Sequence, residues 1–109
     1  MKITNFQKRV YELCKKVPKG KVTTYKAISK KMGVKAYRAV GMALNKNPYG
    51  ILNYRGKNMV PCHRVINSNG FVGQFAHGPK TKIKLLQSEG IFVNKNKMIN
   101  LKKYLFDFK

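Results

Sequence analysis

Three observations predict a mainly α fold, that is, a small α+β domain. Apolar residues recur at helical spacing near the N-terminus, a capped helix, a glycine turn and a second helix follow, and the C-terminal part is punctuated by Asn, Gly and Pro. Together they outline a helix-turn-helix, winged-helix-like three-helix bundle with a small C-terminal hairpin. At 109 residues the chain suits one core and is short for several, so residues 1–109 are expected to form a single domain. A hydrophobic share of 43% excludes a disordered basic tail. Phe6, Val10, Leu13, Ile28, Val40, Leu44, Leu85 and Leu86 are the core candidates.

Phe6, Val10, Leu13 and Val17 recur at offsets of four, three and four, which predicts an amphipathic helix over residues 4–17. Thr4 or Asn5 can cap it. Cys14 lies beside the stripe and reads as a small buried hydrophobe. Pro18 and Gly20 end the helix in a turn. A capped helix spans residues 23–33, and a third helix is predicted over residues 34–46. In the third, Ala36, Val40, Ala43 and Leu44 face inward. Lys35, Arg38, Met42 and Asn45 fall on the opposite face with Gly41 beside them, a combination that suits close approach to a DNA groove. Asn47-Pro48 closes that helix, and residues 49–59 read as a loop. A turn follows at 67–70, then an aromatic, glycine-rich loop over 71–79. Residues 81–89 are predicted as a short helix stopped by Gly90. Residues 91–93 and 97–99 are expected to pair as a hairpin across Asn94-Lys95-Asn96, and an aromatic tail ends the chain.

Charge narrows the partner. Twenty-four Lys and Arg against three acids, Glu12, Glu89 and Asp107, give a net charge of +21. A folded domain this basic points to a polyanion, most commonly nucleic acid. No apolar run approaches the roughly 20 residues that span a bilayer, and no signal-peptide core is present. A membrane partner is therefore not expected, and the chain is expected to act inside the cell.

Cys14, Cys62, His63 and His77 lack the paired spacing of a zinc site, so no metal is expected. The tetrad Pro61-Cys62-His63-Arg64 concentrates chemistry instead. A cysteine attacks as thiolate, and an adjacent histidine with nearby cations lowers its pKa toward that state. The competing reading is an inert buried cysteine beside an unrelated histidine. Glu89, near the C-terminus of the short helix, is unfavourable to the helix dipole and asks for another partner. A carboxylate that orients the histidine would complete a Cys–His–Glu relay.

Five motifs occur in one order: Gly20-Lys21-Val22-Thr23-Thr24-Tyr25, Arg38-Ala39-Val40-Gly41, Asn47-Pro48, Pro61-Cys62-His63-Arg64-Val65-Ile66, and Lys82 through Leu85-Leu86 to Glu89-Gly90. In this the chain resembles the O6-alkylguanine-DNA alkyltransferases from about Phe6 to Gly90. The resemblance implies a helix-turn-helix domain that flips O6-alkylguanine from double-stranded DNA and transfers the alkyl group irreversibly to its own cysteine, as a monomer without cofactor. It implies Cys62 as acceptor, His63 as base through a water, Glu89 holding His63, and Asn47 bracing the loop behind the cysteine. It further implies Arg38 in the base stack and Tyr25 assisting departure of the guanine by protonating N3. Thr24, Lys35, Gly41, Met42, Asn45 and Arg64 are expected at the DNA. The backbone near Cys62 and Val65 would read the exocyclic amine and the Ala76 amide would reach O6. Tyr25 and Phe75 would wall the pocket, His77 would restrict bulky alkyl groups, and Lys82 would close it. Location would be cytoplasmic and DNA-associated in a prokaryote, nuclear in a eukaryote.

Departures from the family pattern are visible. The first helix is predicted at the start of the sequence, so the chain is expected to correspond to the catalytic half of a usually two-domain protein. Asn53-Tyr54-Arg55-Gly56-Lys57 looks inserted. Phe75 stands where tyrosine is common, Ala76 where serine is, and His77 where glycine is. In size and tail the chain also resembles the alkyltransferase-like proteins, which recognise the lesion without repairing it and often carry tryptophan where Cys62 stands. A lesion sensor that recruits excision repair is thus the alternative.

Overall fold

Thr4 closes the first helix from both sides. Its hydroxyl accepts from the Gln7 backbone N–H at 3.1 Å, and the Gln7 side chain accepts from the Thr4 N–H at 2.9 Å. This capping box satisfies donors that a helix start leaves without partners. The computed structural model describes residues 3–51, 59–73, 75 and 77–108. Helix α1 (Asn5–Lys15) buries Val10, Tyr11, Leu13 and Cys14. Val17, beyond its end, stays in the core because its N–H bonds back to the Cys14 carbonyl.

Strand β1 (Thr23–Thr24) leads straight into α2 (Tyr25–Met32). The Thr24 hydroxyl accepts from the Ala27 N–H at 3.0 Å as the N-cap, and Gly33 ends the helix at φ +75°, a conformation that glycine adopts without steric cost. Helix α3 (Tyr37–Asn45) starts three residues later than expected. Buried Ser29 explains the delay. Its hydroxyl donates to the Val34 carbonyl and accepts from the Ala36 N–H, which holds the connector in a turn. Helices α1, α2 and α3 pack against one another as the expected three-helix bundle.

A 3-10 helix (Cys62–Arg64) runs into strand β2 (Val65–Ile66), which pairs in parallel with β1. Thr23 lies opposite Val65, and Thr24 opposite Ile66. Because successive strand residues point to opposite faces, Val65 joins the core of the three-helix bundle and Ile66 joins a second core. That second core gathers Val22, Val72, Leu86, Ile91, Val93, Ile99 and Tyr104. Helix α4 (Pro79–Ser88) covers it, with proline at the start, where the missing N–H does no harm.

The C-terminal hairpin is reduced to its turn. Asn94 donates its N–H to the Met98 carbonyl, and its side chain accepts from the Asn96 and Met98 amides. Beyond that turn, residues 97–99 pair with 70–72 rather than 91–93. Val72 donates to Lys97 O and Ile99 to Gly70 O, both at 2.9 Å. Gly70 makes the approach possible, since a Cβ there would lie 2.7 Å from the Ile99 carbonyl oxygen. The aromatic tail carries one more helix, α5 (Leu101–Tyr104), capped by Asn100. The chain then runs beside Val22, which donates to Tyr104 O and accepts from Phe106 N–H. Among the described residues no helix is long and apolar enough to cross a membrane, and no three metal-ligating side chains gather.

Candidate active site and nucleic-acid interface

The 3-10 helix presents Cys62 half-buried beside the end of α3. Asn47 joins the two. Its Nδ2 donates to the Val60 carbonyl at 3.0 Å, and its Oδ1 accepts from the Tyr49 N–H at 2.9 Å. Its side chain also hydrogen-bonds the Cys62 thiol. Gly50 packs against the same sulfur, where an added Cβ would stand 3.9 Å from Sγ. Gly50 was not foreseen, because a lone glycine in a loop carries no signal of what it touches.

Burial pushes the Cys62 thiol pKa up. The Asn47 hydrogen bond, the Lys82 charge and the backbone amides of Cys62 and His63 pull the other way without reversing it. The expected lowering by a nearby cation is present in Lys82, and burial outweighs it. Desolvation dominates, so the resting group is a thiol.

His63, Arg64 and Glu89 form a buried trio. His63 Nε2 is 3.0 Å from Glu89 Oε2. Arg64 donates from Nε to Oε1 at 2.8 Å and from Nη2 to Oε2 at 2.6 Å. Its Nη1 holds the Val17 carbonyl at 3.0 Å. An ionised Glu89 accepts the Nε2 proton, which fixes the tautomer and leaves Nδ1 with a free lone pair. Arg64, expected at the DNA, is instead 7% exposed and bound to Glu89. The physical reason is charge. Glu89 is buried at a helix end that offers it no dipole stabilisation, and only a forked cation satisfies both its oxygens.

Burial alone would raise the Glu89 carboxyl pKa, but hydrogen bonds from Arg64 and His63 and their charges hold it at about 2. The folded chain therefore binds fewer protons than the unfolded one between the ordinary value of 4.5 and about 2. Stability is present above that window and lost as pH falls through it. With only three acidic side chains in the sequence, this limb should dominate acid unfolding. Denaturant melts from pH 5 to 2 should show it in wild type and lack it in Glu89→Gln.

Tyr25 and Lys82 meet beside Cys62. Lys82 Nζ lies 5.9 Å from the centre of the Tyr25 ring. Burial, then the potential of Cys62 and Cys14, pushes the Tyr25 hydroxyl up to about 12. It stays protonated, so its hydroxyl carries a proton to donate. Burial lowers Lys82 to about 8, while Cys62 and Cys14 act to raise it. Lys82, expected to close the pocket, is 1% exposed. Its charge lowers the Cys62 pKa, so Lys82→Met should move the thiol's pH profile of iodoacetamide labelling to higher pH. An unmoved profile would show that the two groups do not interact.

Arg38, Met42 and Asn45 on α3 are exposed, as is Lys35 in the connector before it. A Cβ added at Gly41 would meet nothing within 4 Å, so the face is open. Thr24, expected at the DNA, is 6% exposed with its hydroxyl engaged in capping α2. Val65 is fully buried, and its N–H is bonded to the Cys62 carbonyl. Phe75 is half-buried, with its ring edge-on to His77 at 5.4 Å. Ala76 and the inserted 53–57 stretch lie outside the described residues. Sequence reasoning also missed Tyr37. It is 46% exposed beside Arg38 and lines a cavity of about 460 Å³ with Tyr25, Lys26, Asn67, Ser68 and Asn69.

A family model described as 6-O-methylguanine DNA methyltransferase, DNA binding domain, matches residues 5–91. A methylated-DNA–protein-cysteine methyltransferase of Methanosarcina acetivorans is 46% identical over 88 residues, covering 80% of this chain and 52% of its own. One from Saccharolobus solfataricus is 43% identical over 91 residues, covering 84% and 54%. The chain spans about half the length of these curated relatives. Among solved structures, S. pombe Atl1 in complex with damaged DNA containing O6-carboxymethylguanine is similar with a TM-score of 0.79 at 28% identity, covering 98% of this chain and 99% of that one. Mycobacterium tuberculosis OGT in complex with DNA gives 0.72 at 36%, covering 81% and 51%.

Proposed function

The chain belongs to the 6-O-methylguanine DNA methyltransferase family, and on that footing we propose that it is a DNA-repair protein that accepts the alkyl group of O6-alkylguanine on Cys62. The observation that carries the reading is the Cys62–His63–Glu89 set, with His63 Nε2 held by Glu89 at 3.0 Å and Nδ1 left as acceptor. A flipped purine would meet the thiol beside Tyr25. The sulfur attacks the alkyl carbon as the bond from that carbon to O6 breaks. The thiol proton passes through a water to His63 Nδ1, and the Tyr25 hydroxyl hydrogen-bonds the guanine as its leaving charge develops. The alkyl group stays on sulfur, so each chain reacts once. Asn47 and Gly50 fix the thiol, and the Lys82 charge favours the thiolate as it forms.

Exposed Arg38 on α3 is the residue that fills the gap in the base stack. Arg38→Ala should slow transfer from duplex DNA by roughly ten-fold or more, because extrusion costs a few kcal/mol. It should leave reaction with a free O6-alkylguanine base unchanged, and equal loss on both substrates would contradict the role. A second reading, a lesion sensor, is favoured by the end-to-end similarity to S. pombe Atl1. Duplex carrying labelled O6-methylguanine separates the two. Label moving to the protein supports repair, and tight binding with the label left on DNA supports sensing.

A further inference from the structure

Two buried side-chain polar atoms among the described residues lack a hydrogen-bond partner, His63 Nδ1 and Thr23 Oγ1. Both residues are 0% exposed. A buried polar atom without a partner costs stability. Valine would fill a strand position like Thr23 without that cost, so the hydroxyl asks for a reason. The local structure supplies none. The neighbouring Thr24 hydroxyl caps α2, and the Val22 backbone is bonded to the tail. The pairing of the strands does supply one. Thr23 lies opposite Val65, and Val65 closes the turn that carries His63 by donating to the Cys62 carbonyl. Thr23 thus lies on the strand paired with the one that follows directly from the turn carrying His63.

We propose that Thr23 is a positioning residue for alkyl transfer, its hydroxyl holding the same internal water through which His63 Nδ1 takes the Cys62 proton. The proposal rests on the repair reading above. Internal waters usually make about three hydrogen bonds, and Thr23 Oγ1, His63 Nδ1 and Cys62 Sγ supply three. As the sulfur–carbon bond forms, the thiol proton enters the water and a water proton leaves to Nδ1. Thr23 keeps its own proton and its charge and fixes the water's orientation.

The test compares wild type, Thr23→Val and Thr23→Ser by single-turnover transfer from duplex O6-methylguanine, by duplex affinity, and by the nitrogen NMR shifts of the His63 ring. Thr23→Val should slow transfer roughly ten-fold, leave duplex affinity unchanged and move the Nδ1 resonance. Thr23→Ser should stay within about two-fold of wild type, with the resonance in place. An unmoved Nδ1 resonance in Thr23→Val, or a wild-type rate with only a raised Tm, overturns the proposal. A wild-type protein that transfers nothing refutes the repair reading, while the resonance still decides whether Thr23 and His63 share a water.

Discussion

Arg64→Met should lower the stability of the fold by about 3 to 5 kcal/mol, the range for removing one partner of a buried ion pair. The Glu89 side chain is 3% exposed and both its oxygens are held by Arg64. Without the guanidinium the carboxylate keeps only His63 as partner. The carboxylate is then no longer anchored, and the histidine ring loses the fixed partner that orients it for the transfer. Two readouts should therefore fall together, the denaturation midpoint and the transfer rate. Arg64→Lys should recover little, since an ammonium cannot reproduce the fork that meets both oxygens. In Arg64→Met with Glu89→Gln, stability should partly return, because the stranded charge is gone. A surface arginine would behave otherwise. A change within about 0.5 kcal/mol, accompanied by weaker duplex binding, would put Arg64 back at the DNA.

Cys62→Ala should abolish transfer and leave lesion binding intact. Its thiol is the only described one open to a substrate. Cys14 is 0% exposed in the helical core, and burial pushes its pKa well up, so it cannot substitute. The exposed residues assigned to the duplex lie on α3 and the connector before it, and Asn47 keeps its bonds to Val60 and Tyr49 without the sulfur. Affinity for O6-alkylguanine duplex should therefore stay within about two-fold, well under the 1.4 kcal/mol that a ten-fold change represents. A parallel loss of affinity would make Cys62 a binding residue, and transfer that survives would place the acceptor elsewhere.

The helices were legible because their signals are local. Thr4 and Gln7, Thr24, Gly33 and Gly90 mark helix ends through bonds that span a few residues. The parallel pairing of β1 with β2 was not legible, since Thr23 and Val65 lie far apart in sequence and each strand is two residues long. The hairpin expectation failed for the same reason. Asn94 makes the turn as read, but the partner of Met98 is the distant Phe71. At the site, the oddity of an acid near a helix C-terminus was visible and its His63 contact was foreseen. The larger share of the answer, the Arg64 fork, was not, because an arginine beside a reactive pair in a chain of charge +21 reads as a phosphate contact. Burial separates those roles, and burial is a property of the assembled fold. The thiol's raised pKa was hidden likewise. The sequence shows its cationic neighbours, while the desolvation that outweighs them depends on the packing of Tyr25, Asn47 and Gly50.

The most direct measurement is the mass of the protein after one round with duplex O6-methylguanine, followed by peptide mapping. A gain of one methyl group, confined to the peptide carrying Cys62 and matched by restored guanine in the DNA, is the predicted result. Lesion DNA bound tightly and recovered with its methyl group unchanged would contradict it.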